Sequence, residues 1–383
     1  MKNLNGKEKP ATQYFNSIDG LRLLASVNIV LFHLERLGGL HELQSNPVWF
    51  FRIIKGPAFH ASLFFILAGF IFTVKYAPLA ATFSTRALLC ARLRDLYPLH
   101  ALTTALMIPF VILPCIAPSC VDWAKLIFSA VIHFGCAWSV FPFFTYNLNT
   151  PSWALSAFFL CYIAFGPLLR RIAVLSSRRV VVALMACCCM PPVLWGLFYA
   201  RLGAPAHLYQ FFHAFAPIRL FEFVLGMLLA RLYHLNNSKP RKMQVQDIPA
   251  LNDAIILAAL IALYAGLMMR AEAGELMRWQ LYHAFPLPLY AVVLYRLARG
   301  NGLCARLFAT RLIRSLGKCG FYPYLVHIPL VSWICWISEH AFGYRRFLHS
   351  PLNVAAFMIV LYGGSYLYWM HARKKRGKTY RDG

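Results

Sequence analysis

The chain has 383 residues, of which 60% are hydrophobic and only 13% charged, with a mean hydropathy of +0.57. A soluble domain carries about a quarter charged residues, and half that fraction cannot clothe a particle of this size in water-facing side chains, so the chain reads as a membrane protein. Its 38 Lys+Arg against 13 Asp+Glu give a net charge of +25, and a nucleic-acid reading would require those cations to gather on one solvated face.

Apolar runs long enough to cross a bilayer, about 20 residues of helix, recur along the chain. Spans are predicted near 20–37, 57–76, 96–115, 153–169, 180–200, 213–232, 251–269, 281–298, 316–338 and 352–371. A further candidate at 121–145 decides the topology. Counted as a crossing, it would place Arg170, Arg171, Arg178 and Arg179 outside, against the bias of Lys and Arg toward the cytoplasm. Treated as re-entrant or external, it leaves ten spans with both termini inside. The inner segments then hold 26 of the 38 cations and the outer segments eight. Arg22, Arg36, Arg219 and Lys318 lie within spans or at their ends.

The expected fold class is therefore all-α: a polytopic membrane protein of about ten transmembrane helices with cytoplasmic termini. It divides into a polar tail at 1–19, a membrane domain at 20–371 and a basic tail at 372–383. The charge reports orientation more than a polyanionic partner. The lipid bilayer is the expected partner and nucleic acid is not, while anionic headgroups suit the run from Arg373 to Arg376. Met1 to Asn16 is polar and the first apolar stretch has no small-residue cleavage site, so the first span is expected to be retained. Most of the eleven cysteines sit in apolar runs, where cysteine acts as a small hydrophobe. Cys115 and Cys120 flank an external turn and are candidates to pair in an oxidising compartment. No zinc-spaced CxxC pair and no P-loop occurs, so neither a metal nor a resident cofactor is expected.

An ionisable side chain inside a span is costly and points to function. Asp19, Arg22, His33, His60, Arg92, Arg94, Asp95, His100, Arg219, Glu222 and His327 form this set. Arg22 and His33 are eleven residues apart, which returns them to within about 20° of one helix face and separates them by about 16 Å along the axis. One face would thus carry a permanent cation near the cytoplasmic surface and a titratable imidazole deeper in. Taken singly, Arg22 is better read as a snorkelling boundary residue and His33 as a buried hydrogen-bonding histidine.

The surrounding residues carry a resemblance. Ile18-Asp19-Gly20-Leu21-Arg22 with His33 downstream is followed by Phe64-Phe65-Ile66-Leu67-Ala68-Gly69-Phe70 and by Arg92-Leu93-Arg94-Asp95-Leu96-Tyr97-Pro98-Leu99-His100. Then come Pro151-Ser152-Trp153-Ala154-Leu155-Ser156, Arg219-Leu220-Phe221-Glu222-Phe223 through Gly226-Met227, and Leu316-Gly317 through Tyr324-Leu325-Val326-His327-Ile328-Pro329-Leu330. Six segments in this order resemble acyltransferase family 3, integral membrane O-acyltransferases of bacterial polysaccharides and other glycosylated molecules. Four departures stand out. Ala68 and Ser62 replace a common serine and acid, Asp95 lies where arginine is common, and Phe158 occupies the position of a glutamate in many members. If that glutamate orients a catalytic group in relatives, this chain does without it or uses another acid such as Glu222.

The resemblance implies acyl transfer from acyl-CoA, most simply acetyl-CoA, to a sugar hydroxyl of a cell-surface polysaccharide or its lipid-linked precursor, at a bacterial inner membrane. His33 is the candidate general base, because imidazole titrates near working pH, and Arg22 a phosphate-facing or structural cation. Arg92 and Arg94 are candidate contacts to the phosphates of coenzyme A, or equally orientation signals. Trp153 and Ser156 are candidates for the acceptor pocket, Asp19 and His327 for support, and Glu222 for pairing with Arg219. Two alternatives stay open: acylation of a small glycosylated metabolite such as a macrolide, and a non-enzymatic transporter or flippase. Against the latter, no inverted repeat is evident.

Overall fold

Twenty-residue apolar segments satisfy their backbone internally by forming helices, the form a bilayer imposes on single segments. A computed structural model describes residues 15–38, 60–112, 122–140, 148–203, 212–237, 248–270, 273–300, 302–344 and 347–379, and these contain no strand. The first five helices are α1 (Asn16–Gly38), α2 (His60–Tyr76), α3 (Thr85–Ala105), the single turn α4 (Pro109–Ile112) and α5 (Trp123–Phe134). Next come α6 (Ser152–Ala173), α7 (Ser177–Leu202), α8 (Ala216–Asn237), α9 (Pro249–Arg270) and α10 (Glu275–Trp279). The remaining five are α11 (Pro286–Arg299), α12 (Leu303–Phe308), α13 (Arg311–Lys318), α14 (Phe321–Phe342) and α15 (Pro351–Thr379).

Nine helices among the described residues are long and apolar enough to cross a membrane. They match nine of the ten expected spans, and the chain is an all-α, multi-pass membrane protein. The tenth, expected at 281–298, is a broken helix: α10 passes through a π-helical turn at Gln280–Ala284 into the 14-residue α11, which opens on Pro286. Helix α5 has 12 residues, about 18 Å of rise against a hydrocarbon core of about 30 Å. Cys115, Cys120 and most of the loop at 38–56 lie outside the described residues.

Local signals set the ends. Ser84 caps α3 by accepting from the Ala87 amide, and Asp122 caps α5 through the Lys125 amide. Gly300 and Gly343 end α11 and α14 in the left-handed region. On α7 and α15, Val182, Met185, Leu197, Leu352, Ile359 and Leu367 stand exposed. An apolar exterior of this kind suits lipid and would be a liability in water.

The core lies along α2, α6 and α8. Helices α2 and α8 cross so closely that Gly69 lies on the backbone of Phe223 and Gly226 on that of Ile66, and a Cβ at either would overlap a facing carbonyl oxygen. The same intimacy recurs where α13 meets α1: Gly317 abuts the Asp19 carbonyl. The glycines of three motif segments are thus helix-crossing residues. They seat α2 on α8 and α13 on α1.

Candidate active site

Helices α1 and α14 run parallel and touch at two levels. At the lower, Ser26 Oγ donates to the Gly320 carbonyl at 2.9 Å and meets Tyr362 Oη of α15 at 2.8 Å. Seven residues further along each helix, His33 Nδ1 lies 2.9 Å from His327 Nε2, with ring centroids 4.9 Å apart. His327 is wholly buried and His33 half-buried. The tautomers follow from the hydrogen-bond pattern. His327 Nδ1 lies 3.1 Å from the Pro323 carbonyl, which can only accept, so that nitrogen carries the proton. In the neutral ring Nε2 is then an acceptor, and His33 Nδ1–H donates to it. The lone pair of His33 consequently resides on Nε2. Tyr324, one turn before His327, links the pair to α2 through Phe64, whose ring centroid lies 5.8 Å away.

Arg22 donates to Asp19 Oδ1 at 2.9 Å; its side chain is 30% exposed and that of Asp19 5%. Between Arg22 and His33 the shared face of α1 is occupied, because Ser26 and Ile29 are fully buried there. The spacing places the two residues on one side of the helix, and the packing of α14 and α15 separates them into two environments.

A second polar centre is built around Arg219, 1% exposed, and Glu222, 3% exposed, which form the ion pair their spacing suggests. Ser62 Oγ donates to Glu222 Oε1 at 2.8 Å and accepts from Arg219 Nη1 at 3.2 Å. The guanidinium also donates to the His213 carbonyl through Nε at 2.8 Å and, through Nη2 at 3.3 Å, to His283 Nδ1. Trp153 lies under it, 5.3 Å from ring centroid to Arg219 Cζ, and packs on His213 and Phe65. Fixed geometry and several hydrogen bonds are what a buried ion pair requires. His213 and His283 were not singled out from the sequence, although both fall within predicted spans. His283 lies, buried, within the π turn, a feature frequent at functional sites.

The other candidates are dispersed. The Arg92 guanidinium covers the Phe72 ring at 4.8 Å, and Arg94 is exposed one half-turn on. Ser156 is held by Ser139, with hydroxyl oxygens 2.7 Å apart. His100 Nε2–H donates to the His133 carbonyl at 2.8 Å, tying α3 to α5. Phe158 stacks on Phe65 at 4.2 Å, so the position of the family glutamate is an aromatic contact, and Glu222 belongs to the Arg219 centre. The partner shown for His33 is another histidine.

Fold and site define a polytopic membrane protein with an intramembrane histidine pair beside a buried, hydrogen-bonded ion pair. The chain belongs to the acyltransferase 3 family, whose model, described as an acyltransferase domain, matches residues 15–370. It is 26% identical over 343 residues to the acyltransferase MdmB of Streptomyces mycarofaciens, covering 86% of this chain and 82% of that one. No solved structure matches. The protein is thus an acyl-transferring membrane enzyme, and the transporter reading gives way to it.

Proposed function

We propose that the enzyme moves an acyl group, acetyl in the simplest case, from cytoplasmic acyl-CoA to a sugar hydroxyl of a cell-surface polysaccharide or its lipid-linked precursor. The observation that carries this reading is the His33–His327 hydrogen bond. A base for acyl transfer must be held in one tautomer with its lone pair toward the nucleophile, and His327 does this for His33 in the way a carboxylate does in other nucleophile–base systems. In the reaction His33 Nε2 takes the proton of the acceptor hydroxyl as its oxygen attacks the thioester carbonyl carbon. The tetrahedral intermediate collapses with cleavage of the C–S bond, and the imidazolium returns the proton to the departing thiolate.

Supporting assignments follow the geometry. Arg22, partly exposed and held by Asp19, faces donor phosphates near the cytoplasmic surface. Arg92 and Arg94 give further phosphate contacts from the middle of α3. Trp153 and the Arg219–Glu222 pair form the wall that fixes α2 and α8 behind the site. Both termini lie in the cytoplasm of a bacterial inner membrane, as the excess of cations on that side supports. The test is His33→Ala, with O-acetylation of the acceptor measured in membranes against wild type at equal expression. Loss of at least two orders of magnitude is expected for a general base, and full activity would refute the mechanism.

A further inference from the structure

The ends of α2, α6 and α8 meet around a cavity of about 240 Å³ that the acyl-transfer chemistry does not use. Thr73, Arg231 and His234 line it together with apolar side chains, among them Ala77, Leu169 and Ile172. Thr73 is 2% exposed, and among the described residues neither its Oγ1 nor His234 Nε2 has a hydrogen-bond partner, although both atoms are buried. Buried polar atoms are nearly always paired, and these two unpaired ones belong to residues that line one cavity.

Arg231 decides its sign. Its Nε and Nη2 donate to the Leu175 carbonyl at 3.2 and 3.1 Å, which fixes the guanidinium just past the end of α6. Three of its five N–H donors remain. No carboxylate lines the cavity among the described residues, and the last turns of α2 and α6 add Lys75, Arg170 and Arg171. A fixed fork with unused donors, a hydroxyl and an imidazole nitrogen match the oxygens of a phosphate. The apolar part of the lining accommodates the carbon skeleton attached to it.

We propose that this cavity is a phosphate-binding site, with Arg231 supplying the charge and Thr73 and His234 the neutral hydrogen bonds. The phosphate belongs either to a phospholipid headgroup at the bilayer surface or to a soluble nucleotide-type ligand. The site is independent of the acyl-transfer reading, because every readout below is binding.

The experiment uses the full-length purified protein. Calorimetric titration with pyrophosphate tests the soluble source. Melting temperature in phosphatidylcholine nanodiscs with and without phosphatidylglycerol tests the lipid source. Arg231→Gln is expected to weaken the response about 10- to 100-fold, the range for one charge-assisted bond. Thr73→Val keeps the side-chain shape, leaves the Arg231–Leu175 contact intact, and should weaken it several-fold. Pyrophosphate binding weakened in both variants supports a soluble ligand. A response to phosphatidylglycerol alone, weakened in both variants, supports a headgroup. Absence of both responses in the wild type, or responses that survive both substitutions, would overturn the proposal and leave Arg231 as a cap on α6.

Discussion

Replacing His327 by phenylalanine keeps an aromatic ring of similar width on α14 but removes the acceptor that faces His33 Nδ1. The lost contact is one hydrogen bond of 2.9 Å between rings, one of them wholly buried. Leaving a buried N–H without its acceptor costs about 1–3 kcal/mol. If that penalty falls on the transition state, where the His33 ring must hold its orientation while taking a proton, it corresponds to a rate loss of about 5- to 150-fold. His327→Gln returns a carbonyl oxygen near the place of Nε2 and should recover part of the loss. The assay is transfer of labelled acetyl from acetyl-CoA to the glycan fraction of membranes, normalised to protein, with kcat and KM resolved. The effect should fall on kcat, because the contact orients the base and binds neither substrate. Activity of His327→Phe equal to wild type, or a glutamine variant no better than the phenylalanine one in a protein of unchanged melting temperature, would refute the positioning role.

Two further outcomes test the frame around the site. Gly226→Ala places a methyl group against the Ile66 carbonyl; overpacking between two backbones that cannot rotate away should cost about 1–3 kcal/mol or more and lower the melting temperature of the purified protein, and an unchanged melting temperature would show that α2 and α8 can move apart freely. Glu222→Leu leaves Arg219 charged and buried at 1% exposure, which should cost about 3–5 kcal/mol, whereas the double variant Arg219→Met with Glu222→Leu should be markedly less damaging than the two single effects added; additivity in a double-mutant cycle would show that the pair is not coupled.

The fold was largely legible because a bilayer enforces one backbone solution on long apolar segments. Nine of the predicted spans coincide with helices long and apolar enough to cross a membrane, and the tenth escaped that pattern for a local reason, since Pro286 can open a helix but cannot continue one without losing a bond. The site was legible residue by residue but not in its pairings. His33 and His327 were each marked by the cost of an imidazole inside a span, yet 294 residues separate them and periodicity says nothing about which helix faces which. Arg219 and Glu222 are one turn apart, so their pair could be read from spacing. Ser62, 157 residues from Arg219, could not. The common face of Arg22 and His33 was correct as geometry and incomplete as packing, because nothing in α1 reveals that Tyr362 of α15 closes on Ser26 between them.

The position of the histidine pair follows from glycines rather than from the histidines. Gly317 lets α13 rest directly on the Asp19 carbonyl, and Gly320 presents its own carbonyl to Ser26 Oγ at 2.9 Å. That contact sets where α14 begins relative to α1. From Ser26 to His33 is seven residues, and from Gly320 to His327 is also seven, about 10.5 Å of rise on each helix. Two parallel helices clasped at one level therefore meet again two turns later, and the residues that meet are the two imidazoles. A side chain at Gly317 would lift α13 away from α1 and lose this register, moving His327 by a distance larger than a hydrogen bond tolerates. The leucine–glycine segment ahead of α14 thus belongs to the chemistry of the site as much as the histidine ten residues after Gly317, because it sets the height at which that histidine arrives.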